Sequence, residues 1–120
     1  MKVTNSEKDV LRRLAEKYME YANSPKNAFR RELWRSLNCM RMEKPMVTID
    51  QLPWEELAVD EDLVCKVEDP CFRRVETALR RAIYKWEHLF DDTVLDPYIV
   101  VPRPLINSGF GLKTQKHLTK

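Results

Sequence analysis

The strongest constraint on the fold is a helical pattern that begins at Asp69 and Pro70. Aspartate is a favoured N-cap, and proline is favoured at the first helical position, where its missing amide hydrogen has no cost. The opposite face is charged and includes Glu76 and Arg80 at the four-residue spacing of an ion pair. The pattern predicts one long helix over residues 70–89, buried along one face. Its apolar residues recur at helical spacing over five turns: Phe72, Val75, Leu79, Ala82, Ile83, Trp86 and Leu89.

Two further helices are predicted nearer the amino terminus. The first is capped by Asn5 or Ser6 and runs to about Ala22, and the second is capped by Ser24, begins at Pro25 and runs to about Leu37. Each carries one apolar stripe, and the remaining positions are mostly charged. In the second helix the stripe comprises Phe29, Leu33, Trp34 and Leu37, whereas Arg30, Arg31 and Arg35 are expected to be solvated.

Two short runs lack a helical period and are predicted to be strands. They are MVTID at residues 46–50 and YIVV at residues 98–101. A helical turn at 54–57 and a short helix near 62–66 are expected between the first strand and the long helix. Two strands form only a marginal sheet by themselves, so they must pair, pack on helices or join a larger sheet. The predicted fold class is mainly α with two short strands, an α+β arrangement around three main helices.

Composition indicates one globular domain and argues against nucleic-acid and membrane partners. The chain has 120 residues, of which 33% are charged, and this fits one domain with one core. A net charge of +2 gives no basic excess for a nucleic-acid partner. No apolar run approaches the roughly 20 residues of a membrane-spanning helix, and the first residues lack a signal-peptide pattern. We expect a cytoplasmic protein without membrane or nucleic-acid partners, with residues 1–112 as a single helical domain and 113–120 as a loose cationic tail.

The cysteines do not indicate a disulfide framework or a metal site. Cys39, Cys65 and Cys71 are odd in number and match no disulfide pattern, so we expect reduced thiols. A zinc site would combine Cys65 and Cys71 with His88 or His117. Structural zinc sites usually place paired ligands two to four residues apart, which these residues do not do. No metal ligand is therefore assigned.

Three segments, taken together and in order, resemble a known family. They are RMEKPMVTIDQLPWEEL (41–57), DPCFRRVETALRRAIYKWEHL (69–89) and DPYIVVPRPLINSGFGL (96–112). They resemble the amino-terminal region of uroporphyrinogen-decarboxylase-like proteins, particularly the branch associated with corrinoid-dependent methyl transfer. The family fold is a (β/α)₈ barrel, which takes about 250 residues or more. The resemblance implies that this chain corresponds to the helices before the barrel and its first one or two strands.

The resemblance also sets an expectation for function. It implies an amino-terminal, catalytically incomplete segment, whose full-length relatives move a methyl group between a corrinoid and an acceptor. Zinc held by late histidine and cysteine ligands activates the acceptor in those relatives, so no catalytic residue is carried over. Porphyrin decarboxylases follow their first strand with an arginine-rich segment, and residues 49–54 contain no arginine. The implied partners are the remainder of a barrel and a corrinoid protein.

Three residues are candidate ligand contacts, because barrel sites gather at the carboxyl ends of the strands. Asp50 ends the first predicted strand and would accept a proton or orient a polar group, or else serve as a turn residue. Trp54 would form the floor of a pocket or pack in the core. Arg103 lies between two prolines and would bind an anion, or pair with a surface carboxylate.

A second function, from a different class, is compatible with the same pattern. The chain would be a free-standing small helical module that uses exposed strand edges and apolar helix faces to bind a protein partner or a second copy of itself. A reading frame that continues beyond codon 120 would favour the barrel segment over the module. A severed barrel segment would also expose apolar patches and self-associate.

Overall fold

A computed structural model describes residues 3–101 and residue 111, and this part of the chain is mainly helical. Its main helices are α1 (Asn5–Ala22), α2 (Pro25–Asn38) and α4 (Pro70–His88). Between α2 and α4 lie a single turn, α3 (Trp54–Leu57), and a 3₁₀ helix (Glu61–Leu63). The three predicted main helices and the predicted turn are confirmed, and the short helix predicted near 62–66 lies slightly earlier as the 3₁₀ helix. No helix in this part is both long and apolar enough to cross a bilayer.

Side-chain caps fix where the main helices begin. The prediction that Asn5 or Ser6 caps α1 is wrong, because the cap is Thr4. The Thr4 hydroxyl accepts the Glu7 backbone N–H at 3.3 Å, and the Glu7 carboxylate accepts the Thr4 backbone N–H at 2.8 Å. This reciprocal capping box satisfies two amides that the helix leaves unpaired. The predicted caps of α2 and α4, Ser24 and Asp69, are confirmed.

The core is small, and α1 and α4 form its main helix–helix contact. Its buried apolar residues are Ala22, Leu33, Val67, Leu79, Ile83 and Leu95. In α2, two expectations from helical spacing are wrong. Phe29, which the pattern assigns to the apolar stripe of α2, is 64% exposed, and Arg30, expected in solvent, is buried. The core therefore depends on buried polar groups as well as on apolar packing.

One of these polar groups is the ion pair of Glu76 and Arg80, on the face of α4 that the sequence assigns to solvent. The Glu76 carboxylate accepts the backbone N–H groups of Lys66 and Val67 at 2.8–3.0 Å and the Arg80 Nε–H at 2.8 Å. Arg80 also donates to the carbonyl oxygen of Asp62 at 2.9 Å. Burial opposes ionisation of Glu76, but the two amides and the arginine outweigh it and hold its pKa below the ordinary value. The pair fastens the loop over 62–67 to α4.

The first predicted strand, residues 46–50, does not form a strand among the described residues. Its one backbone bond joins the Val47 carbonyl to the Asp92 N–H at 2.7 Å. The Val47 N–H donates instead to the Asp92 carboxylate at 3.0 Å, and the Ile49 N–H to the Asp91 carboxylate at 3.3 Å. Carboxylates thus take the place of the backbone carbonyls that a regular ladder would supply.

The second predicted strand, residues 98–101, does not form either. Its four residues are 42–77% exposed and belong to no ladder in the part of the chain that the structure describes. The cationic tail predicted at 113–120 lies outside the described residues.

Candidate functional site

Asp50 lies at an open groove between α2 and two segments without helix or strand, residues 46–50 and 91–96. We call it the α2 groove. Its volume is about 420 Å³. The described lining residues are Arg31, Trp34, Arg35, Asn38, Thr48, Asp50, Thr93 and Val94.

The first wall of the groove is the segment over residues 91–96. It is held in place by Asn27, which is almost fully buried on α2. Its side-chain amide donates to the carbonyl oxygens of Ala22 and Leu95 at 2.7 and 2.8 Å. Its carbonyl oxygen accepts the Leu95 N–H at 2.9 Å. Since both backbone groups of Leu95 bond to one side chain, Asn27 fixes the position and direction of the chain there.

Two further side chains of α2 hold the same segment through its carbonyl groups. The Trp34 indole N–H donates to the Asp92 carbonyl at 2.8 Å, and Arg30 donates to the Thr93 carbonyl at 3.1 Å. The Arg30 guanidinium also lies over the ring of Trp86, 4.6 Å from its centroid. Asn27, Arg30 and Trp34 are three and four residues apart, so they share one face of α2.

The second wall, residues 46–50, depends on the buried carboxylate of Asp91. Burial opposes ionisation of Asp91, but hydrogen bonds from the Thr93 hydroxyl and the Ile49 amide, with the charge of Lys85, hold its pKa below the ordinary value. The Lys85 Nζ lies 3.7 Å from Asp91 and 3.8 Å from Asp50. Asp50 itself is 80% exposed, so the groove ends in an accessible carboxylate beside an ammonium group.

The groove combines an apolar floor with a polar rim. Trp34 and Val94 supply the floor. On the rim, Arg31 is bonded to Asp96 at 3.2 Å and Arg35 to a glutamate one turn earlier. The described lining residues include neither a cysteine nor a histidine. The arrangement suits binding of a group with an apolar body and polar edges.

Trp54 does not share this groove. It forms an edge-on contact with Tyr84 at 6.2 Å, and the Arg81 guanidinium lies 4.9 Å from the centre of its ring. It lines a separate hollow. The structure therefore brings Asp50 to a groove and Trp54 to a different surface, while Arg103 lies outside the described residues.

Comparison with family models, with curated proteins and with solved structures gave no match to this chain.

The described cysteines and histidine do not form a zinc site. All three cysteines are free, Cys39 and Cys71 are exposed, and the Cys65 thiol lies 3.3 Å from the hydroxyl of Thr77. In the described ranges, one group of possible ligands comes together, and it contains no thiolate: Asp62, Glu87 and His88, all exposed. Glu87 is already bonded to Lys17 and Tyr21, each at 2.6 Å. The zinc that the family resemblance implies does not fit these residues.

Sequence reasoning missed Asn27 and Arg30 as residues that build the groove. The signal was their spacing, because both lie on the face of α2 that carries Trp34 and Leu37. A polar residue at a stripe position needs a buried partner, since a buried polar group without one is costly. The partner itself, a backbone more than sixty residues away, has no signal in the sequence.

Proposed function

We propose that this chain is the amino-terminal, catalytically incomplete segment of a uroporphyrinogen-decarboxylase-like protein. It would supply the helical wall beside the barrel and two extended segments that join the sheet of the barrel. The full protein would transfer a methyl group through a corrinoid. The observation that carries the proposal is an alternation in residues 46–50: the N–H groups of Val47 and Ile49 are bonded to Asp91 and Asp92, and the N–H groups of Thr48 and Asp50 have no partner among the described residues.

The bonded edge belongs to Val47 and Ile49, which are held by Asp91 and Asp92. In an extended chain the backbone groups of neighbouring residues point to opposite sides. The N–H groups of Thr48 and Asp50 alternate with the bonded ones, and neither has a hydrogen-bond partner among the described residues. This alternation is what an extended chain with one open edge would give. An open edge of this kind is a template for another strand.

The run at residues 98–101 supports a parallel barrel sheet in particular. Strands of a parallel sheet are covered on both faces, so they read as continuous apolar runs without alternation. Tyr98, Ile99, Val100 and Val101 form such a run, yet they are 61%, 42%, 77% and 68% exposed. Burial of an aliphatic side chain contributes about 1.5–3 kcal/mol, so a covering layer would stabilise this segment substantially.

The position of the α2 groove is consistent with a barrel mouth. Asp50 stands at the carboxyl end of the segment that would become the first strand, and barrel sites gather at that end. There its exposed carboxylate would orient a polar group of a substrate. Zinc and corrinoid would be bound by residues outside the described ones, so no step of methyl transfer is assigned to this chain.

Hydrogen exchange tests the proposal directly. The polypeptide encoded by the reading frame as it continues past codon 120 would be compared with the 120-residue chain. We expect the amides of Thr48, Asp50 and residues 99–101 to exchange at least about 100-fold more slowly in the longer polypeptide, because ladder bonds protect them. The amide of Leu79, inside α4, is the matched control and should be protected in both. Equal exchange at the two segments, or a frame that does not continue, would contradict the proposal.

A free-standing interaction module is the second candidate. It is favoured by the observation that every buried side-chain nitrogen and oxygen in the described part has a hydrogen-bond partner, so none of these atoms needs a barrel to supply one. Sedimentation velocity over a concentration series in 0.5 M salt, with NMR of the same samples, separates the two. A dispersed monomer at high concentration favours the module, whereas association with broadened spectra favours the barrel segment.

A further inference from the structure

The outer face of α4 carries a second groove, which we call the arginine groove. It has a volume of about 470 Å³ and is lined by Pro70, Arg73, Arg74, Thr77, Ala78 and Arg81. The three arginines are exposed, and none has an ion-pair partner within the described ranges. Small residues between them leave an apolar floor. Such a surface fits a segment that carries carboxylates around an apolar side chain.

The chain itself contains a segment of this chemistry at residues 55–62, which we call the acidic turn. No lysine, arginine or histidine occurs between residues 51 and 65. Val59 lies in the middle of the turn and is 90% exposed. The carboxylates around it are Glu55, Glu56, Asp60, Glu61 and Asp62, and Glu55 and Glu56 are exposed and without an ion-pair partner in the described part.

The two surfaces adjoin each other at Arg81. This residue lines the arginine groove and also the hollow that contains Trp54, Glu55 and Glu56. The Arg81 guanidinium lies over the Trp54 ring. This contact places Arg81 between the arginine groove and the acidic turn. A patch with adjoining lobes of opposite charge is self-complementary under a two-fold rotation, because each lobe then faces the opposite lobe of the other copy.

We propose that this patch forms a two-fold dimer in which the acidic turn of each copy lies in the arginine groove of the other. Val59 contacts the floor at Ala78, and Glu55 and Glu56 face Arg73 and Arg74. The charges that have no partner within one copy are compensated across the interface. The dimer uses the outer face of α4 rather than residues 46–50 and 98–101, so it does not depend on the function proposed above.

Sedimentation equilibrium of the full 120-residue chain tests the dimer. We expect a dimer at 50 mM NaCl whose dissociation constant rises at least about tenfold at 500 mM, because exposed ion pairs are screened by salt. Association through the unpaired apolar segments would persist at high salt. A monomer at 50 mM and high protein concentration, or an association that salt does not weaken, would overturn the proposal.

Charge reversal identifies the interface. The double variants Arg73→Glu/Arg74→Glu and Glu55→Lys/Glu56→Lys should each be monomeric, and an equimolar mixture should form a heterodimer in which opposite charges meet again. Circular dichroism verifies that both fold. The matched control is Arg12→Glu/Arg13→Glu, an adjacent arginine pair on the exposed face of α1, which should leave the dimer unchanged. Homodimers of either reversed variant, or a mixture that stays monomeric, would refute the assignment.

Discussion

Replacement of Glu76 by glutamine should destabilise the protein more than any comparable change of an exposed glutamate. Glu76 has no solvent-exposed surface. Its carboxylate accepts hydrogen bonds from the backbone N–H groups of Lys66 and Val67 and from the Nε–H of Arg80. Glutamine keeps the shape but has one acceptor oxygen, and its NH₂ group then faces donors. Arg80 is left buried without its counter-ion.

The magnitude follows from these contacts. Breaking a buried ion pair by removing one partner costs about 3–5 kcal/mol, and hydrogen bonds to charged groups contribute about 1.5–3 kcal/mol each. The retained oxygen recovers part of this, so we expect Glu76→Gln to lower the free energy of unfolding by about 3 kcal/mol. With a urea dependence of about 1.5 kcal/mol/M, the midpoint falls by about 2 M.

Urea denaturation followed by circular dichroism at pH 7 measures this change, with Glu16→Gln on the exposed face of α1 as the control. The fold lowers the pKa of Glu76 from its ordinary value of 4.5. Its contribution is therefore complete above that value and is lost as the pH falls through the lower folded pKa. The difference between wild type and Glu76→Gln should shrink in acid. A midpoint shift below about 0.5 M at neutral pH, or a difference that grows in acid, would refute the reasoning.

Three further predictions use the same denaturation assay. Asn27→Ala should lower the free energy of unfolding by about 3 kcal/mol, because it leaves the buried N–H and C=O of Leu95 unpaired. Hydrogen exchange of the Leu95 amide should also become faster, and an unchanged exchange rate would contradict the role of Asn27. Thr4→Ala should cost about 1 kcal/mol, since it removes the cap of α1, whereas Thr4→Ser should restore most of it. Phe29→Ser should change the free energy of unfolding by less than about 0.5 kcal/mol, since this side chain is 64% exposed. A loss of several kcal/mol would show that Phe29 belongs to the core.

The helices were predictable because their signals are local. Ser24 and Asp69 bond to amides two or three residues away, and Pro25 and Pro70 need only the first turn of their own helix. The wrong cap prediction for α1 is also a local matter, because three adjacent polar residues, Thr4, Asn5 and Ser6, could each occupy the cap position. Thr4 is the cap because Glu7 stands three residues later and completes the capping box.

The candidate site was predictable only in part. The carboxyl end of the first predicted strand indicated Asp50, and the structure places this residue at the α2 groove. The separation of Trp54 from that groove depends on Arg81 and Tyr84 of α4, which no local pattern relates to Trp54. Nothing near residues 46–50 indicates that the carboxylates of Asp91 and Asp92 take the place of a neighbouring strand.

The sequence by itself determined where the helices lie, how α2 and α4 begin and which helix faces are mainly apolar, because caps and periodicity act over a few residues. Tertiary structure decided which polar residues are buried. Asn27 and Arg30 are buried because their partners, 68 and 63 residues away, come within hydrogen-bond distance in the folded chain. Glu76 holds a loop through backbone amides 9 and 10 residues away. The physical reason is that a polar group can be buried only where a partner compensates for lost water, and the position of that partner is a property of the folded chain.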